Sequence, residues 1–206
     1  EKYTADAEVF LSCLTNEDDP NYEPENVRYL FYLAQSYFDS KQFDKSKEWY
    51  MKRAEAGGWE EEVFYSLFRT AICSSIIGEP WEKTMQYFLS AWNYRPVRAE
   101  PLYQIARIYR LSGHPRLGYL FAKQALSIPY PQHDILFLAN EVWDWQILDE
   151  IGSCAFYAGQ FEEGYNACMK LLKENKFPEA ERQRIMNNLE QYQVRMTEIA
   201  EMQLEH

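Results

Sequence analysis

Basic residues, glycine, histidine and long apolar runs are scarce in this sequence. Lys and Arg number 21 against 32 Asp and Glu, a formal net charge of −11. Nucleic-acid-binding domains normally present a basic face, and anionic membrane surfaces attract one, so neither partner is expected. No stretch reaches the ~18 consecutive apolar residues of a membrane-spanning helix, so no insertion into a bilayer is expected either. Glycine occurs 8 times in 206 residues, with no glycine-rich phosphate loop and no D-x-D metal–nucleotide motif. The 3 histidines and 4 cysteines offer little for a metal. Cys13, Cys73, Cys154 and Cys168 form no C-x-x-C pair and have no zinc-type spacing. They read as reduced thiols packed like small hydrophobes, which points to the cytoplasm. Neither metal nor cofactor is expected. The opening Glu1–Asp6 lacks the apolar core of a secretion signal, and the missing Met points to a processed or excised chain. Leu204-Glu205-His206 reads as a cloning remnant ahead of a His tag.

What is present is apolar, aromatic and helical in period. Hydrophobic residues make up 47% of the chain and aromatics 17%, enough for a sizeable core. Tyr29, Leu30, Leu33, Ala34 and Tyr37 recur at helical spacing, and Ser40-Lys41-Gln42 interrupts the run. Phe43, Ser46, Tyr50, Met51 and Ala54 form a second run that stops at Gly57-Gly58, a helix C-terminal signal. The same helix–turn–helix unit returns around Gly78-Glu79-Pro80, Gly113-His114-Pro115 and Ala158-Gly159-Gln160. Aligned on Ala34, Ile72, Ala106 and Gly152, the units step by 38, 34 and 46 residues. The base period is about 34, with an insertion in the last step.

This pattern resembles the tetratricopeptide repeat (TPR), a helix pair of about 34 residues. The family motif places a large apolar residue, Leu, a small residue and Tyr on the first helix. The first repeat supplies Leu30, Leu33, Ala34 and Tyr37, and the third Leu102, Ile105, Ala106 and Tyr109. On the second helix, where the motif has Ala, an aromatic, Ala and then Pro, the second repeat has Thr84, Phe88, Ala91 and Pro96. Arg53 departs from the motif, standing where the family has its second Ala. The resemblance implies an all-α, right-handed TPR-like α-solenoid of antiparallel helix pairs with a C-terminal capping helix. Its parts are a half repeat at 1–20, repeats at 24–58, 59–97 and 98–131, an insertion at 132–142, a repeat at 143–177, the cap at 178–203 and the remnant at 204–206. Ile185, Leu189, Tyr192, Met196 and Ile199 form the stripe by which the last helix caps the array, or else docks on another protein.

In such an array the concave side binds partners. The positions opposite the packing stripes are Arg28, Phe31, Gln35, Phe38, Arg69, Cys73, Tyr103, Arg107, Arg110, Asp149, Ser153 and Phe156. Four arginines in an acidic chain suit bidentate contacts to carboxylate or phosphate, hence an acidic or phosphorylated partner segment. Equally, they suit pairing with the array's own carboxylates. The family's Lys/Asn carboxylate clamp is absent, so a chaperone-tail binder is not expected. Ile128–Phe137, straightened by Pro129 and Pro131, either carries function or, as is expected, folds back and caps the third unit. His133-Asp134 suggests acid–base chemistry, but no nucleophile stands in a recognisable context, and no catalysis is expected of this chain. Glu60-Glu61-Glu62 opens a helix and complements its dipole.

A narrower resemblance rests on Tyr29–Tyr37, Gly57–Val63, Tyr94–Tyr103, Tyr119–Lys123 and Ile128–Pro131, in that order. These are similar to the repeat region after the catalytic domain of some family-2 (GT-A type) glycosyltransferases, and Lys2–Ala7 looks like the junction leaving that domain. The resemblance implies a non-catalytic companion domain that positions an acceptor or a partner. The alternative is a free-standing adaptor that binds its partner in the arginine-lined groove.

Overall fold

A computed structural model of the chain describes residues 2–204. Within them all regular structure is helical: α1 (Lys2–Thr15), α2 (Val27–Asp39), α3 (Phe43–Glu55), α4 (Glu60–Ile76), α5 (Trp81–Tyr94), α6 (Glu100–Leu111), α7 (Pro115–Leu126), α8 (Ile147–Cys154), α9 (Phe161–Glu174) and α10 (Arg182–Leu204). A π turn, Val142–Gln146, leads into α8, and a 3₁₀ turn, Glu179–Glu181, into α10. Leu204 ends α10, and the other two residues of the expected remnant lie outside the described residues. No helix among the described residues is long and apolar enough to cross a membrane.

Local chemistry explains the boundaries. The Asn26 side chain caps α2, accepting from the backbone N–H groups of Arg28 (3.0 Å) and Tyr29 (3.2 Å). Between α3 and α4 the chain passes through Gly57 and Gly58 with φ of +67° and +92°, a region that side chains disfavour. The chain gathers into two compact units. One runs to Pro96 and includes His133–Phe137; the other comprises Val97–Gln132 and Leu138 onward.

In the first unit, Ala7 and Leu14 of α1 pack with Leu30, Leu33 and Tyr37 of α2. Phe31 and Ala34 of α2 meet Tyr50 of α3 and Cys73 of α4. The buried Ser46 hydroxyl donates to the Ala34 carbonyl at 2.9 Å, so the α2–α3 contact is both close and satisfied. Arg53, 1% exposed, donates to Glu62 (2.6 Å) and to the Gly57 carbonyl (2.7 Å). It thereby fills the place of the family's small residue and ties α3 to the start of α4. Glu79, in the α4–α5 turn, accepts from Lys47, Ser74 and Lys83, each at 2.6 Å. Desolvation pushes its carboxyl up, but these donors outweigh it and bring it down to about 2.

The insertion departs from expectation. His133–Phe137 packs within the first unit rather than capping the third helix pair. The cause is specific: Arg95 grips Asp134, and Glu61 grips the backbone of the next two residues.

In the second unit, small residues let backbones approach. A Cβ on Gly118 would lie 3.1 Å from the Ala106 carbonyl oxygen, and one on Gly152 would lie 2.9 Å from Cys168 Sγ. Tyr192 of α10 lies over Gly164; its hydroxyl donates to the Gly152 carbonyl (3.0 Å) and accepts from the Phe156 N–H (2.9 Å). With Ile185 it buries the apolar stripe of α10 against α8 and α9. All four cysteines are buried and free.

Two measurements check this packing. Gly164→Ala drives a methyl group into the Tyr192 ring and breaks both hydroxyl hydrogen bonds; it should cost about 2 kcal/mol, read by urea unfolding. Because the folded Glu79 carboxyl is depressed, its stabilisation is complete above the unfolded value of 4.5 and is lost as pH falls toward about 2. Glu79→Gln should therefore lose less stability than the parent between those two pH values.

Candidate functional site

The expected groove residues fall in both units. Arg28, Phe31, Gln35, Phe38, Arg69 and Cys73 belong to the first, and Tyr103, Arg107, Arg110, Asp149, Ser153 and Phe156 to the second.

In the first unit the site grows from α2 and α4. Helical spacing places Arg28, Phe31, Tyr32 and Gln35 together on α2, and Glu61, Tyr65 and Arg69 on α4. The Arg69 guanidinium lies 3.5 Å over the Phe38 ring and 5.5 Å from that of Tyr65. Arg28 donates to the Tyr32 hydroxyl at 2.9 Å. Phe31 is buried rather than open to a partner, and Cys73 is fully buried in the core. Against Phe31 and Tyr65 lies Phe137, with ring centroids 6.4 and 4.8 Å away. Glu61 Oε2 accepts from the backbone N–H groups of Ile135 and Leu136, both at 2.7 Å. Arg95 makes a bidentate pair with Asp134 (2.8 and 2.6 Å) and reaches Glu60 at 3.1 Å. Asp134 is thereby ion-paired with Arg95. Beside the seated segment a cavity of about 370 Å³ stays open, lined by Arg28, Tyr32, Gln35, Trp59, Glu62 and Phe137 among others.

In the second unit the arginines are largely committed to carboxylates. Arg110 makes a bidentate pair with Glu150 (2.7 and 3.0 Å), whose side chain is 2% exposed. Arg184 of α10 grips Asp149 (3.0 and 2.8 Å), Glu181 (2.7 Å) and the Ser153 hydroxyl (3.0 Å). Burial holds the carboxyls of Asp149 and Glu150 above the usual carboxylate range, and their arginines offset this only in part. Asp149 and Tyr103 are buried, which corrects the expectation that they face a groove. Burial, and then the Glu150 charge, push the Tyr103 hydroxyl up to about 12. Phe156 packs its ring against Phe161 and Tyr192. A cavity of about 740 Å³ lies here, lined by Arg110, His114, Arg116, Ser153, Tyr157 and Arg184 among others. Arg116 donates to the Tyr157 carbonyl at 2.9 Å. Of the arginines lining this cavity, Arg110 and Arg184 are paired with carboxylates and Arg116 with that carbonyl; Arg107, exposed on α6, does not line it. Among the described residues no three His, Cys, Asp or Glu side chains gather to hold a metal ion.

The sequence assigned no binding role to Glu61, Arg95, Trp59 or Arg184. Glu61 was visible within the acidic run but read as a dipole partner; it is 7% exposed and holds a backbone segment 74 residues away.

Comparisons with known proteins bear on the fold. No family model matches the chain, and no curated protein matches it. Solved structures do. The APC/C hetero-tetramer Cut9–Hcn1 superposes with a TM-score of 0.57 at 13% identity over 95% of this chain, which spans 34% of that one. A Podospora anserina protein, assigned as a kinesin light chain with nearly identical TPR-like repeats, gives a TM-score of 0.52 at 13% identity, covering 88% of this chain and 92% of that one. The fold is thus an all-α, TPR-like solenoid.

Removing Arg110 strands the Glu150 carboxylate in the interior, whereas Arg107 is exposed on the same helix. Arg110→Ala should cost about 3 kcal/mol in chemical unfolding, and Arg107→Ala less than about 0.5 kcal/mol.

Proposed function

We propose that the chain is a non-catalytic scaffold for protein or peptide partners, and that it is the accessory repeat region of a larger glycosyltransferase, positioning an acceptor or a partner. The observation that carries the scaffold reading is the face of α2 and α4 in the first unit. The irregular segment His133–Phe137 lies there against α2 and α4, held by a carboxylate on its backbone and an arginine on its acidic side chain. The glycosyltransferase context rests on the sequence resemblance. Two of the resembling stretches, Gly57–Val63 and Tyr94–Tyr103, contain Glu61 and Arg95, the residues that hold this segment.

A second reading, a free-standing adaptor for an acidic or phosphorylated segment, is favoured by Arg28 and Arg107. Arg28 spends its guanidinium on the Tyr32 hydroxyl, and Arg107 is exposed.

Immunoblotting of source cells with an antibody to this chain separates the two. The accessory reading expects a band larger by a catalytic domain, about 200 residues or more. Deleting the repeat region from that product should abolish sugar transfer to the acceptor while sparing hydrolysis of the donor. A band at the mass of this chain overturns the accessory reading. For the adaptor, charge reversal by Arg28→Glu or Arg107→Glu should then weaken partner binding at unchanged helicity.

A further inference from the structure

We propose that the face of α2 and α4 in the first unit is a docking groove for a turned peptide with a carboxylate side chain three residues before an aromatic ring, and that His133–Phe137 is the chain's own occupant of it. This inference rests on the interaction-scaffold reading and names the partner's chemistry.

The manner of seating argues for an occupant rather than a piece of core. A core segment buries its apolar side chains and satisfies its backbone locally. Here Ile135 is 78% exposed and Phe137 49% exposed, while the backbone N–H groups of Ile135 and Leu136 are held by Glu61. Asp134, by contrast, is buried against Arg95. Backbone gripped by the receptor, with one charge and one ring held by side chains, is the pattern of a bound peptide, here in a turned rather than an extended conformation. Phe137 also has φ +45°, a left-handed conformation that bulky residues avoid. The occupant is therefore held in place by its contacts, against its own backbone preference.

The same features set the terms of exchange. A tethered occupant acts at an effective concentration on the order of millimolar, so a free peptide with identical contacts loses to it. A partner that succeeds must add contacts. The adjoining cavity offers them: Trp59 is 47% exposed and Tyr32 37% exposed, with Arg28 and Gln35 beside them. An aromatic or acidic side chain adjoining the partner's docking stretch would find both a ring surface and a guanidinium there.

The test is fluorescence anisotropy with a labelled synthetic peptide of residues 132–138, added to the parent chain and to Asp134→Ala/Phe137→Ala, in which the occupant has lost its grips. The opened chain should bind the peptide at least ten-fold tighter than the parent. Adding Glu61→Ala and Arg95→Ala should remove that binding, as should Asp→Asn and Phe→Ala changes in the peptide. If the double variant loses helicity, Phe137→Ala alone takes its place, keeping the Asp134–Arg95 pair and still expected to bind better than the parent. An opened chain of full helicity that does not bind the peptide overturns the proposal. So does a parent chain that sediments as a dimer and becomes monomeric on Asp134→Ala/Phe137→Ala, because the occupant would then be a second copy. Neither failure touches the scaffold reading, which the deletion of the repeat region tests by sugar transfer.

Discussion

A charge taken out of water must meet a partner, and in this acidic chain the interior places heavy demands on its cations. Arg53 is 1% exposed and Arg98 1% exposed; Glu100, Glu150, Asp134, Asp149 and Glu61 are all buried as well. The Arg98–Glu100 pair is bidentate, Nε donating to Oε2 at 3.1 Å and Nη2 to Oε1 at 2.6 Å. Arg53 joins α3 to α4, Arg95 holds the segment at Asp134, and Arg110 and Arg184 hold the carboxylates of α8. Apart from Arg98–Glu100, which lie two residues apart at the start of α6, each pair fixes one helix or segment against another. The cost of separating such a pair is what makes these joints specific. The same demand decides where binding chemistry remains: in the second unit two arginines are committed to carboxylates, while in the first an open cavity keeps Arg28.

Helix packing supplies the frame on which those charges sit. A helix pair of this length cannot bury its own apolar face, so neighbours must close on one another. Ala34 beneath Ser46, Ala106 beside Gly118, and Gly164 beneath Tyr192 are the places where that closing demands a small residue. In the first unit the Ala34–Ser46 contact fixes the face of α2, on which Arg28, Tyr32 and Gln35 stand beside Trp59 around one cavity.

Much of the fold is legible in the sequence because its signals are local. Glycine stops, proline starts and the recurrence of Leu30, Leu33, Ala34 and Tyr37 announce helix pairs and their period, and solved TPR-like structures share the resulting fold. The site was less legible because its contacts are remote in sequence. Phe31 was placed on a binding face by its helical phase, but Phe137, more than 100 residues away, lies against it. Arg110 was read as open to either a partner or the array's own carboxylates; Glu150, 40 residues on, makes it the second. Glu61 shows the limit most plainly. Three consecutive glutamates at a helix start carry the same dipole argument, and only the fold distinguishes the one that caps a distant backbone. Arg53 is the reverse case: its departure from the repeat motif was a visible signal of a charge with a structural task.

The most direct test of the central claim is hydrogen exchange at the Ile135 and Leu136 amides, measured by NMR on the unmodified chain and compared with the amides of Ala34 and Ala71 in the core of α2 and α4. A seated occupant opens locally, so the account predicts that both amides exchange faster than those core amides while remaining protected relative to free peptide. It also predicts that Glu61→Ala abolishes the protection without altering the core. Exchange of Ile135 and Leu136 at the same slow rate as Ala34 and Ala71 would contradict it, because the segment would then be a permanent part of the core that leaves the groove only when the unit unfolds.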